Sequence, residues 1–127
     1  MLADSPMTTI PPMVDLPRAR AFYESKLELR PEGLKPDGKF VYRLGGGGLL
    51  ALFQRGSATK VDHTAVRFEV KDVVSAVRTL KDKGVVFNDD DFSGLKTVQH
   101  LCVLGSEKAA WFNDPEGNIL CIHENLR

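Results

Sequence analysis

The chain has 127 residues, and its 17 basic and 17 acidic side chains balance to a formal charge of 0. With no cationic excess to neutralise phosphates, nucleic acid is excluded as a partner class, and so is a polybasic membrane anchor. Hydrophobic residues make up 43%, enough for a packed core, while the longest apolar run, Leu49–Phe53, falls far short of the roughly 20 residues of a membrane helix.

The uncharged segment Met7–Val14 reads as a strand, and Pro11 and Pro12 push it to a sheet edge. Asp15 suits a helix N-cap and Pro17 a first turn. Leu16, Ala19, Phe22, Tyr23 and Leu27 then share one helical face, and Pro31 and Gly33 stop the helix. Lys39–Leu44 alternates as a strand, with Phe40 and Tyr42 on one side. Gly45–Gly48 has no following Lys-Ser/Thr and no helix to open, so it reads as a hairpin turn and not a phosphate cradle. Leu49–Phe53 is a buried strand, and Gln54–Asp62 is a polar linker.

The pattern then restarts. His63–Val70 is a strand, Asp72 a second N-cap, and Val73, Ala76, Val77 and Leu80 a helical face ending at Gly84. Val85–Phe87 reads as a short strand, and Lys108–Phe112 and Ile119–His123 as two more around the turn Asp114-Pro115-Glu116-Gly117-Asn118. Asn88–Ser106 carries no clear period, and its acidic start, Asn88–Asp91, reads as a solvated turn. The order is βαβββ twice, an α+β class. Aligning Asp15 with Asp72 sets Met13 on Val70, Leu16 on Val73 and Ala19 on Ala76. Each half also closes on a glycine leading into an apolar strand, Gly48-Leu49-Leu50 and Gly117-Asn118-Ile119. The second half is the longer, and its extra residues fall in 88–106, a length of connection more often functional than decorative.

Three segments resemble the vicinal oxygen chelate superfamily, which includes glyoxalase I, bleomycin-resistance proteins and extradiol dioxygenases. Asp15-Leu16-Pro17-Arg18-Ala19-Arg20-Ala21-Phe22-Tyr23 is similar to its first helix, Phe68-Glu69-Val70-Lys71-Asp72-Val73 to the start of its second module, and Trp111-Phe112-Asn113-Asp114-Pro115-Glu116-Gly117-Asn118 to its closing hairpin. The resemblance spans about Met7 to Glu124. It implies one domain over 1–127, with module one at about 7–55 and module two at about 61–127. The two βαβββ modules would form a curved, partly open eight-stranded sheet around a central pocket, with helices outside. It also implies a homodimer and a small-molecule ligand.

Metal-dependent members carry His and Glu ligands on the first and last strands of each module. Carried over residue by residue, those positions are Thr8, Ala51 or Leu52, Ala65 and Cys121. Ala and Leu have no lone pairs and Thr is a poor ligand, so the expectation is no metal and no other cofactor. A relocated donor set, His63, Cys121 and His123, shares the parity of one sheet face.

Arg67 has the parity of His63 and Ala65, and suits a carboxylate or phosphate, unless it pairs with Glu69 or another acid. Cys121 is a candidate nucleophile with His63 or His123 as base, or else a small apolar lining residue. Trp111 stacks on a ligand or anchors the core, Cys102 reads as packing, and His100 as a solvated loop histidine. The ligand-binding candidates are therefore Thr8, His63, Ala65, Arg67, Trp111, Cys121 and His123.

Two cysteines make no disulfide framework, and Met1–Thr9 has no basic start or apolar stretch, so a cytoplasmic location is expected. Three functions stay open. One is a metal-independent binding domain of the bleomycin-resistance type. Another is a glyoxalase-like lyase, isomerase or dioxygenase with a non-standard metal or Cys/His site. The third is a dimeric structural or regulatory module without ligand.

Overall fold

Two aspartates open the two helices in the same way. In the computed structural model, which describes residues 2–56, 64–89, 98–104 and 106–126, Asp15 accepts a hydrogen bond from the Arg18 N–H and Asp72 one from the Ser75 N–H, each at 3.1 Å. These caps satisfy donors that the first helical turn leaves unpaired. A second tie also recurs. The Leu16 N–H donates to Gln54 Oε1 at 3.0 Å, and the Val73 N–H donates to Glu124 Oε1 at 2.9 Å. Each helix start is thus fastened to the last strand of its own repeat.

The chain divides into two compact units, Met1–Lys60 and Val61–Arg127. The first contains β1 (Thr8–Thr9), β2 (Pro12–Met13), α1 (Leu16–Ala21), β3 (Arg30–Leu34), β4 (Phe40–Arg43) and β5 (Leu49–Gln54). Its sheet runs β1-β5-β4-β3, with β2 also paired to β5. The second contains β6 (Thr64–Glu69), α2 (Val73–Asp82), β7 (Cys102–Leu104), β8 (Glu107–Asn113) and β9 (Ile119–Asn125), ordered β6-β9-β8-β7. In both, the first strand pairs parallel to the last. The topology is βαβββ twice.

Several elements depart from the sequence reading. The strand expected over Met7–Val14 is split into β1 and β2, because its two prolines offer no N–H to a ladder; the Pro11 carbonyl still accepts from the Phe53 N–H at 3.2 Å. The helix expected through Leu27 is α-helical only to Ala21 and continues as a π-helical turn, Phe22–Lys26. In that turn Glu24 Oε2 accepts from Arg20 Nε at 2.9 Å and from the Tyr42 hydroxyl at 2.8 Å. Burial works against the Glu24 carboxylate, but these two bonds outweigh it and hold its pKa below the usual value. Burial, together with the same carboxylate, pushes the Tyr42 phenol up.

Strand β3 was hidden by Pro31 and Gly33, which read as helix stops. Both are tolerated because β3 is an edge strand with a bulge between them, where Gly33 has φ +128°. Gly45–Gly47 forms a 3-10 turn, a plain connection as expected. Val85–Phe87 is not a strand, since only Phe87 makes a bridge, to Phe112. The place is taken by β7, inside the stretch without a period. No helix among the described residues is long and apolar enough to cross a membrane.

Arg20 lies 3.8 Å over the Phe40 ring and Glu24 holds Tyr42, so Phe40 and Tyr42 face α1. Their ladder partners Leu52 and Leu50 share that face. Tyr23, Tyr42, Leu50 and Leu52 are fully buried there. In the second unit, Glu124 and Phe112 lie on the α2 side, with Leu120, Ile122 and Ala110 of the same parity in the core.

Candidate functional site

The face of the second sheet turned away from α2 gathers most of the residues singled out in the sequence. Ladder register sets Arg67 beside Cys121, Cys121 beside Trp111, Glu69 beside His123, and His123 beside Ala109. Thr64 stands opposite Ile119 and bonds the Trp111 indole on this face, and a bulge between Thr64 and Val66 interrupts the alternation at Ala65. Cys102, Ala109, Trp111 and Cys121 form one buried cluster, with Ile119 packed against it.

Cys121 is 2% exposed. Burial pushes its thiol pKa up, against the smaller opposing effects of the Arg67 guanidinium and the Ala110 backbone. Its S–H is directed at the Ile122 carbonyl, 3.5 Å away. His123 lies two residues along the strand, a backbone separation of about 7 Å, and the thiol already has an acceptor. The candidate Cys121–His123 couple is therefore not formed, and burial disfavours the thiolate. His63, the other base considered, lies outside the described residues.

Arg67 is ion-paired with Glu107 of β8 and so reaches across β9. Its side chain remains 45% exposed, so the pair is a weak one that a ligand anion can displace. Glu107 was not singled out in the sequence; Glu69, the acid named there, stands by His123 instead. The His123 side chain is only 13% exposed, its Nε2 lies 4.0 Å from Glu69 Oε1, and its buried Nδ1 has no partner among the described residues. A buried ring nitrogen without a partner costs free energy unless something bonds to it. Trp111 is 6% exposed and its indole N–H donates to Thr64 Oγ1 at 3.2 Å. It forms the floor of the face and anchors the core. Thr8 belongs to the first unit, where it is exposed and pairs with Leu49.

The sequence matches the model of the Glyoxalase/Bleomycin resistance protein/Dioxygenase superfamily over residues 12–122. The chain belongs to this superfamily. No curated protein matches it. Solved structures with the same fold include a protein of Bacillus anthracis assigned to the glyoxalase family, at TM-score 0.76 and 15% identity, covering 96% of this chain and 95% of that one. A lactoylglutathione lyase from Agrobacterium tumefaciens follows at TM-score 0.69 and 18% identity, covering 95% and 93%. TnmS3, an antibiotic binding protein from Streptomyces sp. CB03234, has TM-score 0.68 and 19% identity, covering 98% of both chains. At these identities the likeness is one of fold.

Within the superfamily, the metal-ligand positions of metal-dependent members can be tested against the residues present here. In the first unit, Leu52 shares the α1 face with Phe40, so the position on the face of Thr8 is Ala51, which settles the choice between the two. Thr8 and Ala51 offer one hydroxyl between them. In the second unit, Ala65 offers no donor and Cys121 offers one buried thiol. A divalent ion needs about three good donors. These residues do not fit the metal.

Proposed function

We propose that this superfamily member binds a small organic molecule without a metal, using the face of the second sheet turned away from α2. The observation that carries the reading is which residues stand at Ala65 and Cys121. The two ligand positions of this unit hold an alanine, which has no lone pair to give, and a single buried thiol, one donor where a divalent ion needs about three, while Arg67 and His123 keep hydrogen-bonding capacity on the same face. A guanidinium held by one exposed ion pair, a buried imidazole nitrogen without a partner among the described residues and an aromatic floor make a binding surface with few polar anchors on apolar ground. An acceptor such as a carbonyl or carboxylate suits Arg67, and a donor or a proton-bearing group suits His123 Nδ1. His63 stays a candidate for the same role, and Thr8 for a ligand contact made by the first unit. The relation to an antibiotic binding protein of the same fold supports drugs and metabolites as the first compounds to try.

A thermal-shift screen of the wild-type chain against small molecules tests this. A ligand present at a hundred times its Kd stabilises the native state by about 2.7 kcal/mol. The shift is expected to shrink in Arg67→Ala and in His123→Ala. Hits whose shifts are the same in both variants and in wild type would contradict the assignment of the face.

A further inference from the structure

A second polar group lies on the helix side of the same unit, away from Arg67 and Cys121. Lys81, in the last turn of α2, and His100 border an opening of about 500 Å3 whose wall also includes Val74, Val77, Arg78 and Asp82. That volume is in the range of small-ligand sites. His100 Nε2 lies 3.1 Å from Lys81 Nζ, and His100 Nδ1 lies 2.8 Å from Asp89 Oδ1. An ammonium only donates, so the bonding pattern assigns Nε2 as acceptor and puts the ring proton on Nδ1, donated to Asp89. The imidazole also lies against the Phe87 ring, with centroids 5.9 Å apart. His100 was expected to be a solvated loop histidine; its side chain is instead 22% exposed and held on three sides.

The backbone here is strained. Gln99 and His100 have φ of +51° and +73°, a region that costs non-glycine residues energy. Such strain persists where surrounding contacts fix it, and here it aims the ring at Lys81. Arg78 lies one helical turn before Lys81, is exposed, and makes no ion pair among the described residues. The opening thus presents a lysine fixed in position and a guanidinium with no ion pair among the described residues, over the aliphatic side chains of Val74 and Val77. Asp82 on the same wall opposes a second negative charge.

We propose that this opening binds a small organic carboxylate. Lys81 and Arg78 would hold the carboxylate, Val74 and Val77 would take its hydrocarbon part, and His100 acts as a positioning residue for Lys81. Charge-assisted bonds of this kind are the strong ones. The test titrates benzoate into the isotope-labelled full chain and follows the amide resonances, with benzamide as the uncharged isostere. Benzoate is expected to give saturable shifts at Lys81, Gln99 and His100, and benzamide none. Lys81→Met and Arg78→Met are each expected to weaken benzoate about tenfold. His100→Ala is expected to weaken it as well. His100→Asn, which keeps an acceptor for Lys81 and tolerates the left-handed backbone, is expected to restore it. All three positions lie at the surface opening, and a dispersed amide spectrum confirms each variant's fold. Equal shifts with benzamide, an unchanged affinity in Lys81→Met, or no saturable shift would overturn the proposal.

Discussion

Replacing Trp111 by alanine is expected to lower the free energy of unfolding by about 3–5 kcal/mol. The indole is 6% exposed and packs with Cys102, Ala109, Cys121 and Ile119. Three of those neighbours, Cys102, Ala109 and Cys121, are small, so they have little side chain with which to fill the space left behind. The cost therefore combines the lost burial of a large aromatic with a cavity that does not collapse. Trp111→Phe should cost much less. It keeps a ring in the cluster and gives up the bond to Thr64 Oγ1, a hydroxyl on an exposed residue that water can satisfy. Urea unfolding followed by far-ultraviolet circular dichroism checks both, because the only tryptophan is the residue removed. A loss below about 1 kcal/mol for the alanine variant would mean that the cluster on this face adds little to the stability of the unit.

Asp114→Ala is expected to cost about 3 kcal/mol. Asp114 is 5% exposed and organises the closing turn of the second unit. Its Oδ1 accepts from the Glu116 and Asn118 backbone N–H groups, both at 2.9 Å, and its Oδ2 accepts from the Asn118 side-chain amide at 2.9 Å. Alanine leaves these donors facing an apolar methyl, and Asn118 is itself 3% exposed, so water does not replace the carboxylate freely. Asp114→Asn retains one acceptor and should fall between wild type and alanine. The same unfolding measurement reads the effect. A cost near zero would show that the turn holds through its backbone geometry alone. The loss also bears on the face proposed for binding, since this turn sets β9 against β8 and fixes Cys121 beside Trp111.

Local chemistry made much of this fold legible. The caps Asp15 and Asp72, the apolar spacing behind them and the Asp114–Asn118 turn all act over a few residues, and each does what its residue types imply. The two edge strands β3 and β7 were not legible. Pro31 and Gly33 carry opposite meanings in a helix and at a bulged sheet edge, and only pairing with β4 decides between them. β7 lies in a stretch without a period, and its pairing with β8 supplies what its short sequence lacks. The shared face of Arg67, Cys121 and His123 followed from strand parity. The partner of Arg67 did not, because Glu107 sits two strands away and sequence offers no register across that distance. The setting of His100 was hidden for a similar reason. Its bonds to Lys81 and Asp89 depend on two left-handed residues that no composition rule marks.

The central claim is that binding here needs no metal, and the most direct measurement is a metal analysis of untagged protein followed by melting in nickel, zinc, manganese and iron(II). Substoichiometric metal and no rise in Tm with any of the four are expected. One metal per chain, raising Tm and lost in Cys121→Ala, would contradict that claim and make Cys121 a ligand.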